Sequence, residues 1–411
     1  MLSLHTSPLA PLGRTRHAGG MNVYVRELAR ELGRGDMYAD IFTRRSDPST
    51  PFVQWLTEHV RLITISAGPP IPLLPGELFP YVEEFTHGVL RFAERARHGY
   101  DLIHSHYWLS GVAGLSLARE WDVPHVTMFH TVERLKQQQY GEGTATGTLN
   151  ATRIEYEGRI AASSDAIVVS TEHEREQLRR IYGLSPSALR IIPCGVDLRA
   201  FTPGSLAERQ EARQTLALGS DPTLLFVGRL DPIKGIDLLL ESAAALRTPA
   251  RLVVVGGNPD GDPEVERLRG RAAELGLAER VRFPGAVPQP DLVRYYRAAD
   301  ALVVTSRYES FGLAAVEALA CGTPVVAAPV GGLPSIIRDG VNGLLVRWRG
   351  AEAYAERLDT LLSDAALRER LASNARRSVE RYAWPRIGDR MRTLYGELTA
   401  VQREEVACSC F

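Results

Sequence analysis

The sequence predicts an α/β protein built on doubly wound parallel sheets, and three observations lead there. Short β-branched runs alternate with longer helical patterns along most of the chain. Those runs are continuously apolar rather than alternating, as strands covered on both faces must be. Composition is ordinary, with 45% hydrophobic and 24% charged residues among 411, so apolar material suffices for more than one core.

In chain order, only Met1 to Leu4 precede the His5-Thr-Ser-Pro8 loop, where a buried first strand should stand. Either that strand is short or the true start lies upstream. Strand-like runs follow at 101–104, 125–129, 166–170, 224–227, 252–255, 301–305 and 324–327. Helical patterns cover 21–32, 109–120, 236–246 and 263–275. One sheet would need more strands than a compact domain usually carries. Two Rossmann-like domains facing a central cleft are therefore expected, residues 1–195 and 196–385. The boundary is placed at Pro193-Cys-Gly-Val-Asp197, followed by a polar stretch over 202–219. After about Ala351 the pattern is wholly helical. Trp384-Pro385 breaks it, because the residue before proline avoids the α region, and a last helix over about 386–403 should leave in a new direction.

Charge and cysteine usage exclude several classes. A net charge of −1 is not that of a nucleic-acid binder. No apolar run approaches a transmembrane span, and the opening residues lack a basic leader, which points to a cytoplasmic protein. Four cysteines are too few for a disulfide scaffold and lack paired metal-ligand spacing. Of 48 basic residues only two are lysine, Lys136 and Lys234, a bias that codon usage explains but whose placement invites attention.

Four clusters carry chemistry. The first is Glu309-Ser-Phe-Gly-Leu-Ala-Ala-Val-Glu317, after the run ending at Thr305. Ser310 to Leu313 should open a helix whose free N–H groups and dipole favour an anion, with Gly312 admitting a phosphate close to the backbone. The flanking carboxylates would repel phosphate and accept hydroxyls instead, which fits a nucleotide-sugar. The bland alternative makes Glu309 an N-cap and Glu317 a solvated helix residue. The second cluster is Phe226-Val-Gly-Arg-Leu-Asp-Pro-Ile-Lys-Gly235, at a strand's carboxyl end, where open α/β sheets bind ligands. Arg229 and Lys234 would converge on one diphosphate, unless the loop merely holds a surface Arg–Asp pair.

The third is His17-Ala-Gly-Gly-Met-Asn-Val-Tyr24, a glycine pair before a helix. The fourth joins His104-Ser-His-Tyr-Trp108 to Phe129-His-Thr131, whose histidines read as hydrogen-bonding groups rather than metal ligands. Two strings are set aside. Gly141-Glu-Gly-Thr-Ala-Thr-Gly147 follows no strand and has the wrong spacing for a dinucleotide loop, and Asp260-Gly-Asp262 reads as a turn. No Walker A string is present.

Together these strings resemble the retaining glycosyltransferases of family 4, which have the GT-B architecture. The likeness runs from HTSPL and GGMNVYV through HSHYWLSG, GVD and GRLDPIKG to ESFGLAAVEALACGTPVVAAPVGGLP. It implies that Arg229 and Lys234 hold the donor diphosphate, aided by the amides of Phe311, Gly312 and Leu313, with Gly20 also on the donor side. Glu317 would take the ribose, Glu309 the donor sugar hydroxyls, and backbone around Val287 the base, expected to be uracil. His130 would meet the sugar near the reacting carbon. Asn22, Tyr107, Thr131, Lys136 and Arg153 match positions that line a polyol-phosphate pocket. The last helix would cross back onto the first domain.

The implied reaction moves a sugar from a UDP-linked donor to a phosphorylated polyol or sugar, inositol phosphate first and fructose 6-phosphate second. Anomeric configuration is retained and no metal or other cofactor is required. A homodimer is compatible with the sequence. One departure stands out: relatives acting on inositol phosphate carry a phosphate-binding lysine in the segment 68–80, and here there is none. A nucleotide-sugar epimerase, a dinucleotide oxidoreductase and a non-catalytic binding protein are the competing readings, and the missing G-x-G-x-x-G weighs against the oxidoreductase.

Overall fold

The structure, a computed structural model, describes residues 1–10, 19–97, 99–140 and 147–409. The chain divides into two compact units. The first holds Met1–Ala10, Met21–Pro193 and the C-terminal segment from Pro385; the second runs from Cys194 to Trp384 and also takes in Gly19 and Gly20.

In the first unit, β1 (Ala39–Arg44), β2 (Val53–Thr57) and β3 (Val60–Ile65) form one ladder in the order β1-β3-β2. The second ladder is β4 (Ile103–His106), β5 (His125–Met128), β6 (Ala166–Val169) and β7 (Leu189–Ile191), all parallel. The opening residues join the two. Leu2 bridges both Phe42 and Ser105, donating its N–H to His104 O at 2.9 Å and accepting from His106 N at 3.0 Å. The brief opening run thus does a full strand's pairing on both edges. Phe42, Ile63, Phe85, Leu109 and Ile167 pack into the core beside this sheet.

The second unit is a single six-stranded parallel sheet in the order β10-β9-β8-β11-β12-β13. Its strands are β8 (Thr223–Val227), β9 (Arg251–Val255), β10 (Val281–Gly285), β11 (Ala301–Val304), β12 (Val325–Ala327) and β13 (Gly343–Leu345). The order reverses between β8 and β11, which pair directly, and loops leaving the carboxyl ends of two such strands border a natural ligand crevice. Leu224, Leu252, Val254, Val303, Val326 and Tyr354 fill the core beside it. The loop after β8 carries Arg229 and Lys234, and the one after β11 carries Glu309.

Several local expectations need adjustment. The 202–219 stretch is not merely polar loop: it contains the helix Leu206–Thr215, opened by a capping box in which Ser205 and Glu208 bond each other's backbone N–H. The break before the last helix falls at Ala383 (φ −57°, ψ 134°), and Pro385 sits inside the first turn of Trp384–Ser409, where its missing N–H costs nothing. Asp262 is the N-cap of the helix Pro263–Glu274, accepting from Glu264 N at 3.0 Å, which accounts for the Asp-Gly-Asp string. Residues 11–18 and 141–146, with parts of the third cluster and of the set-aside glycine string, lie outside the described residues. No described helix is long and apolar enough to cross a membrane.

The C-terminal helix is anchored within the first unit by contacts along its length. Tyr395 OH meets His104 Nδ1 at 2.6 Å, Arg392 donates to Glu31 O at 3.0 Å, and Arg390 donates to Ile191 O.

Candidate functional sites

In the second unit, β8 ends at Val227 and the chain turns through Gly228 and half-buried Arg229 into the short 3₁₀ turn Pro232–Lys234. Asp231 caps that turn by accepting from Ile233 N at 3.0 Å, so it is engaged with backbone. Gly235 closes it at φ +68°, and a Cβ there would stand 2.4 Å from Thr305 O, so only glycine lets the turn lie against the end of β11. Thr305 Oγ1 returns a hydrogen bond to Lys234 O at 2.9 Å, and Arg349 donates to Thr305 O at 2.9 Å. With Lys234 N donating to Asp231 O at 2.8 Å, the lysine's backbone is fixed at both its N–H and its carbonyl.

Lys234 Nζ lies 2.6 Å from Glu309 Oε2, and Ser306 Oγ donates to the same oxygen at 3.3 Å. The two residues read from sequence as contacts to different parts of a donor are ion-paired with each other. Glu309 is therefore not a helix N-cap. The helix is Leu313–Ala320, later than the Ser310 start expected, and its N-cap is Gly312 at φ +104°, ψ 52°. That backbone suits glycine, and a Cβ would strike Leu333 Cδ2 at 2.7 Å. Phe311 is buried, its ring edge-on to Tyr382 at 5.4 Å. The segment is supported from beneath by Gly331 and Gly332; Gly332 N donates to Glu309 O at 2.9 Å.

Glu317 is not a solvated helix residue. It is 3% exposed, and its two carboxyl oxygens accept separately from Gln289 Nε2 and Tyr296 OH, each at 2.8 Å. Burial raises its carboxyl to about 7, against the pull of those two donors. Val287 is half-buried in the turn after β10, two residues before Gln289. Gly20 groups with this unit, and a Cβ at that position would lie 3.9 Å from Leu313 Cδ2.

In the first unit, the candidates gather at the carboxyl ends of β4 and β5. Tyr107 (φ +75°) and His130 (φ +59°) both adopt left-handed backbone, unusual for bulky side chains and characteristic of functional sites. His130 Nε2 lies 3.1 Å from His106 Nδ1, and the His106 ring lies 4.2 Å from the His104 ring at a tilt of 39°. Burial holds all three imidazoles neutral at physiological pH, His130 down to about 3.

Arg153 organises the neighbouring cluster. Nε donates to Glu157 Oε1 at 2.7 Å, Nη1 meets Tyr107 OH at 3.2 Å and Glu133 Oε2 at 3.0 Å, and Nη2 donates to Thr131 O and Oγ1 at 2.7 and 3.1 Å. These partners match all five N–H donors of a guanidinium. Glu157 is fully buried and also accepts from Glu133 N at 3.0 Å, filling the amide end of the helix Glu133–Tyr140 on which half-buried Lys136 sits. Asn22 is buried too, donating to Thr6 Oγ1 at 2.8 Å and Ser7 O at 2.6 Å, so it holds the HTSPL loop.

The segment that lacks the expected lysine is tied to a different cation. Buried Arg44 donates to Pro69 O at 2.7 Å, Ile71 O at 2.6 Å and Ala67 O at 3.4 Å, contacts to carbonyls alone. Sequence reasoning missed Arg44, Glu133, Glu157, Gln289, Tyr296 and the Gly331-Gly332 support. Of these, the i,i+4 spacing of Arg153 and Glu157 was readable as a helix-face pair. The others are contacts across long sequence separations.

The fold and these clusters define a glycosyltransferase of GT-B class, and the chain belongs to that family: residues 18–200 match the model for Glycosyltransferase Family 4 and residues 208–378 the one for Glycosyl transferases group 1. Its relatives narrow the comparison. The chain is 42% identical to the D-inositol 3-phosphate glycosyltransferase of Xylanimonas cellulosilytica, over 97% of this chain and 96% of that one. It is 41% identical to the protein of the same name from Thermobifida fusca, over 99% and 95%. Among solved structures it resembles sucrose-phosphate synthase from Thermosynechococcus elongatus, with a TM-score of 0.90, 35% identity and coverage of 97% and 98%. Anabaena HepE in complex with UDP and glucose shares the fold, with a TM-score of 0.75 at 22% identity over 97% and 100%.

Proposed function

We propose that this glycosyltransferase moves a sugar from a UDP-linked donor to a hydroxyl of inositol phosphate, with retained anomeric configuration. The acceptor choice is supported by full-length identity of about 42% to relatives named for D-inositol 3-phosphate. The donor choice is supported by the pairing of Lys234 with Glu309 beside the β8–β11 reversal.

An ammonium has three donors, so Lys234 can keep Glu309 while reaching a diphosphate oxygen. The pair would then tie leaving-group stabilisation to the sugar end of the donor, because the same carboxylate accepts sugar hydroxyls. Arg229 and the amides at Phe311 to Leu313 add positive potential where negative charge develops on the departing UDP. The departing phosphate oxygen takes the acceptor's proton as attack occurs on the same face. In this scheme the protein's own cations neutralise the diphosphate and no metal ion is required. Neutral His130 offers a hydrogen bond to the sugar without adding charge.

On the acceptor side, Lys136 and the Tyr107 and Thr131 hydroxyls receive the phosphorylated polyol, with Arg153, whose own donors are engaged, holding Tyr107 and Thr131 in place and Asn22 fixing the HTSPL loop. Transfer to fructose 6-phosphate is the second reading, supported by the sucrose-phosphate synthase likeness. Incubating the protein with UDP-glucose, UDP-N-acetylglucosamine or GDP-mannose against inositol phosphate and fructose 6-phosphate, with product masses as readout, separates the two. Arg229→Ala and Lys234→Ala should each lower kcat/KM about 10²-fold or more. Unchanged rates in both would overturn the diphosphate assignment.

A further inference from the structure

Glu317 presents an unusual arrangement for a buried carboxylate: the donors that reach it, Gln289 and Tyr296, are neutral, and each oxygen receives a different one. Tyr296 OH reaches Oε2 and Gln289 Nε2 reaches Oε1, both at 2.8 Å. A buried carboxyl held by two neutral donors is costly, so retaining it asks for a purpose beyond packing. Each carboxylate oxygen has two lone-pair directions. With one direction per oxygen occupied by the protein, the carboxyl plane and its remaining acceptor directions are fixed as a pair. Two adjacent hydroxyls of a cis diol match such a pair.

The two donors are themselves constrained. Tyr296 lies fully buried on the helix Leu292–Ala298; its ring meets Phe201 edge-on at 6.0 Å, and its carbonyl accepts Thr323 Oγ1 at 2.6 Å. It supplies a rigid reference. Gln289 comes from a separate element, the 3₁₀ turn Gln289–Asp291, two residues after Val287. The stretch expected to read the base therefore also holds the carboxylate expected to read the ribose.

We propose that Tyr296 and Gln289 are positioning residues that aim the Glu317 carboxylate at the 2′- and 3′-hydroxyls of the donor's ribose, with Gln289 coupling that contact to the base-binding turn. This deepens the reading of Glu317 as the ribose contact and rests on it.

The test compares calorimetric binding of UDP and 2′,3′-dideoxy-UDP to the full chain and to its Tyr296→Phe, Gln289→Ala and Glu317→Ala variants. Wild type should favour UDP by about 10²-fold, because the analogue leaves a buried acceptor unpaired. Tyr296→Phe and Gln289→Ala should each weaken UDP about tenfold while dideoxy-UDP stays within about twofold of wild type, so that discrimination falls by about tenfold. A merely structural role would weaken both ligands equally. Equal weakening, or full discrimination retained in both variants, overturns the proposal while leaving Glu317 as the ribose contact. Gln289 is half-buried on a turn, so its variant remains informative if Tyr296→Phe is unstable. A wild type that does not distinguish the two nucleotides overturns the ribose reading of Glu317 itself, and the positioning proposal with it.

Discussion

Replacing Gly331 with alanine should disable the donor side without touching any residue that carries charge. Gly331 has φ +52°, and a Cβ built on it would lie 1.9 Å from the carbonyl oxygen of Glu309. Side-chain carbons do not approach heavy atoms closer than 3.0 Å, so the Glu309 segment must retreat by at least about 1.1 Å. The obstacle is backbone, and the same carbonyl is held by Gly332 N at 2.9 Å, so no flexible side chain can absorb the shift. A displacement of that size exceeds the tolerance of the 2.6 Å Lys234–Glu309 contact. Misplacement of a reacting group by about 1 Å is worth about 10²-fold in rate.

Left-handed backbone adds about 1 kcal/mol of destabilisation for alanine, which must be separated from the contact. Gly340→Ala provides the control. That glycine has φ +72° in the same unit, with no neighbour within 4 Å of its virtual Cβ. Thermal denaturation and steady-state transfer should be measured on both variants. Gly340→Ala is expected to lose about 1 kcal/mol of stability and keep its activity within about twofold. Gly331→Ala is expected to lose activity about 10²-fold. Equal activity in the two variants would refute the argument that the glycine pair sets the position of Glu309.

Two other perturbations address charge. Removing Arg153 (Arg153→Met) strands buried Glu157 and Glu133 and should cost about 3–5 kcal/mol in urea denaturation, whereas Arg159→Met, which breaks the exposed pair with Glu155 and a surface contact over the Tyr156 ring, should cost less than about 1 kcal/mol. Equal stability losses would show that the Arg153 network is not the structural hub described. Donor affinity should also depend on pH. Burial raises the Glu317 carboxyl to about 7, and its ionised form is the better acceptor for hydroxyls, so affinity for UDP-glucose should fall as pH drops through 7. The titratable groups facing it, the Tyr296 hydroxyl and the Cys194 and Cys321 thiols, are held protonated there by burial. The diphosphate diester of UDP-glucose stays ionised throughout. Calorimetry from pH 6 to 8.5 should show this slope in wild type and a flat line in Glu317→Gln; a flat wild-type line would refute it.

The sequence by itself determined the fold class, because strand burial is a local pattern. Runs such as Ala166–Val169 and Ala301–Val304 are apolar at every position and prove buried at every position. Among the strands that escaped detection, β1 and β3 are buried but interrupt their apolar runs with Asp40, Arg44 and Arg61, and two others lacked the burial as well. In β2 every residue is partly or wholly exposed, and in β10 burial is interrupted by Arg282 and Pro284. The turn holding Lys234 was likewise legible, since Pro232 and Gly235 punctuate the chain where fixed or left-handed φ is needed, whereas the helix after Gly312 begins at Leu313, later than the Ser310 start expected.

Only the tertiary structure decided which side chains act on one another. Lys234 and Glu309 are 75 residues apart and meet because β8 and β11 are neighbours at the point where the sheet order reverses. Glu317 is a buried, hydrogen-bonded carboxylate rather than a solvated residue because Tyr296 and Gln289, from two separate elements, converge on its two oxygens. Arg153 is a saturated hub because Glu157 comes from its own helix while Tyr107, Thr131 and Glu133 come from elsewhere. Periodicity encodes which face of an element is buried, but hydrogen bonds and ion pairs depend on distances that sheet order alone sets. The scarcity of lysine is a property of the chain, and the carboxylate that receives Lys234 is a property of the fold.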